Sequence, residues 1–246
     1  MLIIPAIDLK DGRCVRLFQG EMDKETVYFD NPREAAKHWM SEGATFLHIV
    51  DLNGAVEGRP VHIKEVAAIC QLPGLSVELG GGLRSIDAVE AALDLGVTRV
   101  VIGTDAYDNA EVLRALCRQF PGKIVVGIDA RHGKVAVKGW METTAMDAVE
   151  LAKRCEQDGA ARIIYTDISR DGTREGVNVE ETLKIARAVN IPIIASGGVA
   201  TLEDIRNLLP LEKEGVEAVI LGRALYAGAV SLKDAVQAGK WRSHCG

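Results

Sequence analysis

Four short motifs in the first half of the chain recur in the second half, in the same order and about half of the 246 residues later. Residues 5–8 match 126–129, 50–52 match 166–168, 81–82 match 197–198, and 102–104 match 221–223. A single match could arise by chance, but four in the same order indicate an internal repeat. The fold of this chain should therefore divide into two similar halves, roughly 1–122 and 123–246.

Short runs rich in Val and Ile alternate with stretches of helical spacing. The predicted strands are residues 2–9, 46–51, 76–79, 99–102, 124–129, 162–166, 191–195 and 218–221. Their nearly continuous apolar character is typical of strands buried on both faces of a parallel sheet. Predicted helices include residues 32–41, 86–95, 109–119, 145–157, 179–189 and 202–209. Ser85 and Thr201 are suited to cap helix starts, and Gly43, Gly96 and Gly159 stand just past helix ends.

Eight strands that alternate with helices predict an α/β protein, and the repeat helps to choose between its two main forms. A doubly wound sheet usually has a glycine-rich turn after its first strand, whereas residues 10–13, Lys-Asp-Gly-Arg, indicate a hairpin-like turn. The length is typical of a (βα)8 TIM barrel. Because no linker or composition break interrupts the chain, we predict a single (βα)8 barrel domain over 1–246, built from two half-barrels.

The composition argues against several classes of function. The net charge of −6, without basic runs, is unsuited to nucleic acid. Five scattered cysteines without CxxC spacing, and five histidines without HExxH, argue against a disulfide framework or a zinc site and favour a reducing cytoplasm. No apolar run approaches the ~20 residues of a membrane span, and the apolar start lacks a basic leader. We therefore expect a cytoplasmic protein without a metal, a nucleic acid or a membrane as partner.

Two glycine motifs each follow a predicted strand and open a helix. Glycine lets backbone N–H groups approach an anion closely, and a helix start favours negative charge. In a barrel both motifs lie at the carboxyl ends of the strands, where active sites are found. We predict one phosphate cradle from Gly81, Gly82, Arg84, Gly103 and Thr104, and a second from Gly197, Gly198, Gly222 and Arg223. Two cradles at one barrel mouth predict a ligand with a phosphate at each end, although tight turns alone could also require these glycines.

Asp8 and Asp129 are matched by the repeat and end the first and fifth strands, which lie opposite each other in an eight-stranded barrel. Two carboxylates facing one pocket suit acid–base catalysis, with one protonated and the other ionised. The alternative is that each caps a local loop. The match between the halves favours the catalytic interpretation.

Other candidates are less distinctive. Trp140, in a loop after the fifth strand, could stack on a flat heterocycle or pack on the rim. Arg16, Gln19, Gly20, Asp171 and Gly172 could contact a ligand or serve turn chemistry. We interpret His48, inside the second strand, as a hydrogen-bonded core histidine.

These segments together resemble the ProFAR isomerase family, the ribotide isomerases of histidine biosynthesis. The resemblance rests on Ile-Pro-Ala-Ile-Asp-Leu at 4–9, Val-Asp-Leu-Asn-Gly-Ala at 50–55, Val-Ala-Val-Lys-Gly-Trp at 135–140, Thr-Asp-Ile-Ser-Arg-Asp-Gly-Thr at 166–173 and Gly-Arg-Ala-Leu-Tyr at 222–226. The related cyclase subunit of imidazole glycerol phosphate synthase usually has Cys before the first aspartate and Lys in the first loop. Here those positions are Ile7 and Arg16. Glu21 and His132 depart slightly from the isomerase pattern.

The resemblance implies an Amadori rearrangement of an aminoaldose ribotide to an aminoketose. Asp129 would act as general acid and Asp8 as general base, while Trp140, Thr166 and Asp171 would hold the substrate. It implies no cofactor and a small bisphosphorylated ribotide as the ligand. Separately, we expect the protein to be a monomer.

Two alternatives remain open at this point. The enzyme could also act on phosphoribosyl anthranilate, since the chemistry is the same and only the pocket differs. The barrel could also bind a phosphorylated ligand without catalysis, but the retained aspartates argue against this.

Overall fold

The computed structural model describes residues 1–18, 21–103, 108–137, 139–171, 173 and 176–240. The strands in this part of the chain are β1 (Leu2–Lys10), β2 (Arg13–Phe18), β3 (Glu21–Phe29), β4 (Phe46–Asp51), β5 (Ser76–Gly80), β6 (Arg99–Ile102), β7 (Ile124–Arg131), β8 (Lys134–Val137), β9 (Glu142–Asp147), β10 (Arg162–Asp167), β11 (Ile193–Ser196) and β12 (Val216–Leu221). The predicted strands all correspond to barrel strands, with ends shifted by up to two residues.

Eight of the described strands form a closed parallel barrel in the order β1-β4-β5-β6-β7-β10-β11-β12. Each of these strands pairs in parallel with two neighbours in the ring. The pairing of β7 with β10 and of β12 with β1 completes the ring. The predicted (βα)8 TIM barrel is therefore confirmed, and the carboxyl ends of its strands meet at one mouth.

Helices surround the barrel on its outer face. The described ones are α1 (Pro32–Ser41), α2 (Leu52–Glu57), α3 (Ile63–Cys70), α4 (Ile86–Asp94), α5 (Ala110–Gln119), α6 (Ala148–Gln157), α7 (Val179–Ala188), α8 (Leu202–Leu208), α9 (Arg223–Tyr226) and α10 (Leu232–Lys240), with a 3-10 helix at Leu209–Glu214. None of them has both the length and the apolar character that a membrane-spanning helix requires.

The helix ends follow the chemistry that their sequences predict. The Ser85 side chain accepts a hydrogen bond from the Ala88 amide at 3.2 Å, and Thr201 forms a reciprocal capping box with Asp204. Gly43, Gly96 and Gly159 all have left-handed backbone angles, with φ of +104°, +99° and +97°. The predicted caps and stops are thus confirmed.

The predicted helix over 145–157 begins three residues too early. Residues 142–147 instead form β9, and α6 starts at Ala148. Asp147 has an extended backbone, and its side chain accepts a hydrogen bond from the Val149 amide at 2.9 Å. An aspartate that caps in this way ends the preceding strand and starts the helix.

The first strand of each predicted half is followed by an antiparallel hairpin. β2 and β3 follow β1, and β8 and β9 follow β7. The turn after β1 has φ of +50° at Asp11 and +78° at Gly12, and the turn after β7 has +52° at His132 and +75° at Gly133. The predicted hairpin-like turn at 10–13 is confirmed.

Among the described residues, two apolar clusters hold the barrel together. The larger one lies between the strands and the helices. The smaller one fills the barrel interior with Ile4, Ala6, Val101, Val125, Ile164, Ile194, Ala218 and Ile220. The interior is therefore a packed core that closes the barrel below the mouth.

Candidate active site

Asp8 lies near the carboxyl end of β1 and carries an ion pair. Its Oδ2 is 2.9 Å from Nη1 of Arg16, which lies on β2. Both side chains are mostly buried, at 15% and 17% exposure. The hairpin creates this pair, because the antiparallel pairing places Val15 opposite Asp8 and Arg16 one residue beyond it.

Asp129 lies at the carboxyl end of β7, in a different environment. Trp140 donates its indole N–H to Oδ2 of Asp129 at 2.8 Å, and Thr166, next to Asp129 on β10, adds a side-chain hydrogen bond. Burial raises the pKa of Asp129 and the negative charge of Asp171 adds to this, although the two hydrogen bonds and His48 oppose it. The net direction is upward, which favours a protonated acid.

The backbone at Gly139 and Trp140, the residue that contacts Asp129, has an unusual conformation. Gly139 and Trp140 have φ of +62° and +73°, so a bulky residue occupies the left-handed region. This conformation accompanies an indole that turns back toward Asp129, while the neighbouring Met141 is 84% exposed. The stacking role of Trp140 stays a prediction.

The second predicted cradle comes together around one cavity. Its walls are formed by Arg16, Asp171, Ser196, Gly197, Gly198, Val199, Ala200, Ile220, Gly222, Arg223, Ala224, Ala227 and Ala229. Gly197 and Gly198 have φ of +84° and +85°. A Cβ on Gly198 would lie 2.5 Å from the carbonyl oxygen of Gly176. The two backbone segments are therefore packed so closely that any side chain at this position would clash. Six of the predicted ligand-binding residues therefore share one cavity.

The glycines of the first predicted cradle have a packing role. Gly81 and Gly82 have φ of +101° and +76°. A Cβ on Gly81 would lie 2.1 Å from the carbonyl oxygen of Asp51, and one on Gly82 would lie 2.5 Å from the carbonyl carbon of Arg59. Close packing on the segment after β4 requires both glycines, whether or not they also bind phosphate.

Arg84 lies beside the end of α2. Its Nη2 donates to the carbonyl oxygen of Ala55 at 3.2 Å, and its guanidinium lies against Gly58. Gly103 is exposed, with nothing within 4 Å of its Cβ position. The ligand-binding roles of Arg84 and Gly103 stay predictions, and Gln19, Gly20, Thr104 and Gly172 lie outside the described residues.

Two other strand-end aspartates serve loop structure. Asp51 accepts hydrogen bonds from the amides of Gly54, Val61 and His62 and from the His62 ring. Burial alone would raise the pKa of Asp51, but these hydrogen bonds outweigh it and lower the pKa. Asp167 similarly accepts from Ser169 and Asn178.

A buried charged group below the mouth was not predicted from the sequence. Glu78 is fully buried and accepts from His48 Nδ1 at 2.7 Å and from Arg99 Nε at 2.6 Å. His48 is thus hydrogen-bonded in the core, as interpreted above. A carboxylate in the strand Ser-Val-Glu-Leu-Gly is the signal that could have revealed this group.

Comparison with known proteins places the chain among enzymes of one pathway. The histidine biosynthesis protein family matches residues 2–231. A protein of Geobacter sulfurreducens, named 1-(5-phosphoribosyl)-5-((5-phosphoribosylamino)methylideneamino) imidazole-4-carboxamide isomerase, is 52% identical over 96% of this chain and 97% of its own. Proteins with the same name from Synechocystis and Trichlorobacter lovleyi are each 51% identical, over 98% and 100% of this chain and 96% and 100% of their own. The chain therefore belongs to the family of histidine biosynthesis proteins, together with these isomerases.

Proposed function

We propose that this protein is an aldose–ketose isomerase that converts the aminoaldose ProFAR to its aminoketose in histidine biosynthesis. The observation that carries the proposal is the unlike environment of Asp8 and Asp129 at one barrel mouth. Asp8 is paired with a guanidinium, and Asp129 is partly buried with a raised pKa. One carboxylate suited to accept a proton and one suited to donate it are the two groups that an Amadori rearrangement needs.

The proposed steps move protons only. Asp129 donates its proton to the ribose ring oxygen, and the ring opens to an iminium. Asp8 then removes the proton from C2′, which gives an enolamine. Return of a proton to C1′ and loss of the C2′ hydroxyl proton yield the ketone. No electrons are exchanged with another molecule.

The proposed substrate carries a phosphate at each end. The cavity around Gly197, Gly198, Gly222 and Arg223 supports one phosphate site, because it combines close backbone approach with the cationic Arg16 and Arg223. We assign the other phosphate to the side of Gly81, Gly82 and Gly103, across the same mouth.

A direct assay tests the proposal. Purified protein, treated with a chelator, is offered ProFAR and phosphoribosyl anthranilate in separate reactions. We expect turnover of ProFAR. Turnover of both compounds would establish the dual-substrate alternative, and turnover of neither, with binding of the ribotide intact, would favour a non-catalytic barrel.

We further propose that the protein works as a monomer in the cytoplasm, on a small ligand and without nucleic acid or membrane. The net charge of −6 argues against a nucleic-acid partner, and the free thiols of Cys14, Cys70, Cys117 and Cys155 support a reducing compartment. Sedimentation equilibrium should give a mass near 26.5 kDa. A dimer mass would contradict the monomer.

A further inference from the structure

One guanidinium, that of Arg16, touches both the proposed base and the second cradle. Its Nη1 is 2.9 Å from Oδ2 of Asp8. Its Nη2 lies so close to Gly222 that a Cβ there would be 2.0 Å away. Arg16 also lines the cavity with Gly197 and Gly198. The base and a phosphate in this cavity would therefore share one cation.

The surroundings of Arg16 keep it charged. Burial alone would lower the pKa of Arg16, but the carboxylates of Asp8 and Asp171 outweigh burial. The pKa of Arg16 is therefore raised above its ordinary value. The ring of Tyr226 lies 5.9 Å from the guanidinium carbon and supports it from the apolar side. With no phosphate bound, Asp8 is one of the anions that this fixed cation holds.

The ion pair with Arg16 occupies Oδ2 of Asp8, one of the two oxygens with which this carboxylate would accept a proton. A phosphate monoester dianion has more charge than a carboxylate and more oxygens to accept hydrogen bonds, so it competes strongly for a guanidinium. We propose that Arg16 is a positioning residue that couples occupation of the second cradle to the release of Asp8. This inference rests on the proposed function, because Asp8 is the base only in that reaction.

The coupling has a functional consequence. Binding energy from a phosphate remote from the reacting carbon would be used to activate the base, and the base would stay paired when the cradle is empty. Because coupling between two sites is reciprocal, Asp8 must also weaken phosphate binding by holding Arg16.

A calorimetric titration with inorganic phosphate tests this reciprocity without any turnover. We expect Asp8→Asn to bind phosphate about fivefold to tenfold more tightly than the parent, and Arg16→Met to bind it more weakly. In the Arg16→Met background, adding Asp8→Asn should change the affinity by less than about twofold, because the shared cation is gone. Arg13→Met is the matched control, since Arg13 lies on the same strand but pairs with Glu25.

Two results would overturn the coupling. One is an equal gain from Asp8→Asn with and without Arg16, which would reflect simple charge repulsion. The other is an absence of phosphate binding by the parent. A failure of ProFAR turnover with the expected binding cycle would instead count against the proposed function alone.

A kinetic measurement adds a second, independent readout. Two monophosphate analogues of ProFAR, each lacking one phosphate, are assayed with and without inorganic phosphate. For the analogue that leaves the second cradle empty, phosphate should raise kcat/KM of the parent and of Arg13→Met about tenfold, and that of Arg16→Met by less than about twofold. Equal activation in all three proteins would refute the role of Arg16.

Discussion

At the scale of single residues, Asp8 and Asp129 show how matched positions acquire different chemistry. Both lie near the carboxyl ends of barrel strands, but Asp8 faces the guanidinium of Arg16, whereas Asp129 is partly buried near the negative charge of Asp171. The raised pKa of Asp129 favours its carboxylic acid form, which a general acid requires, and the ion pair with Arg16 gives Asp8 a different partner. A base and an acid can therefore coexist at one pH.

Replacement of either carboxylate should abolish most of the activity. We expect Asp8→Asn and Asp129→Asn each to lower kcat for ProFAR by about 100-fold or more, because general acid–base groups contribute at least this much. Asp94→Asn, at an exposed position on α4, is the control and should leave kcat unchanged. Losses within about tenfold for both active-site variants would rule out the assigned roles.

The hydrogen bond from Trp140 should tune the acid. Trp140→Phe keeps an aromatic ring but removes the N–H that donates to Asp129. That bond lowers the pKa of Asp129, so its loss should raise the pKa further. Because the acid must be protonated, activity falls as the pH rises through its pKa. The alkaline limb of the kcat/KM profile should therefore move to higher pH, and a shift to lower pH would contradict this.

The two aspartates could be predicted because the repeat pairs them. The cavity residues Gly197, Gly198 and Gly222 could be predicted for the same reason. The contact between Trp140 and Asp129 could not be predicted, because it depends on a left-handed backbone that a tryptophan rarely adopts. Glu78 was also missed: its carboxylate in an otherwise apolar strand was a signal, but the strand does not indicate which arginine and histidine pair with it.

At the scale of elements, the strands and caps follow directly from the sequence, whereas the connections do not. Apolar runs predict the barrel strands, and Ser85 and Thr201 predict helix starts. α2 was not predicted, since Leu-Asn-Gly-Ala-Val-Glu has weak helix propensity. It forms because Asp51 caps its first turn and because the segment packs on Gly81 and Gly82.

This packing predicts a large effect of a small substitution. In Gly81→Ala, the new methyl group would lie 2.1 Å from a backbone oxygen, and the residue would also hold a left-handed φ. Gly122→Ala is the matched control, because it has φ of +77° but nothing within 4 Å. We expect Gly122→Ala to lower the free energy of unfolding by about 1 kcal/mol and Gly81→Ala by clearly more. Equal urea midpoints for the two variants would contradict the packing argument.

At the scale of the whole molecule, the barrel needs strands from both ends of the chain. β1 lies between β12 and β4, and β7 lies between β6 and β10. We therefore propose that residues 1–246 form one domain of two half-barrels. Inside it, Glu78 connects His48 of β4 to Arg99 of β6, and Arg99 also reaches Glu217 of β12.

Breaking this interior connection should destabilise the barrel. Arg99→Met leaves the fully buried Glu78 without its guanidinium, and we expect a loss of about 3 kcal/mol or more in the free energy of unfolding. Adding Glu78→Gln should recover part of the loss. Arg187→Met removes an exposed pair with Glu214 and should change little in the same urea titration. A loss no larger than that of the exposed control would show that the buried pair adds no stability.

The hairpins after β1 and β7 supply Asp8 and Asp129 with separate contacting side chains. Arg16, the partner of Asp8, is carried by the hairpin that follows β1, and Trp140, the partner of Asp129, is carried by the one that follows β7. Each partner lies close in sequence to the carboxylate it contacts. If one hairpin were replaced by that of a relative, only one of the two carboxylates would gain a new partner. The surroundings of the acid and those of the base can therefore be inherited, or engineered, independently.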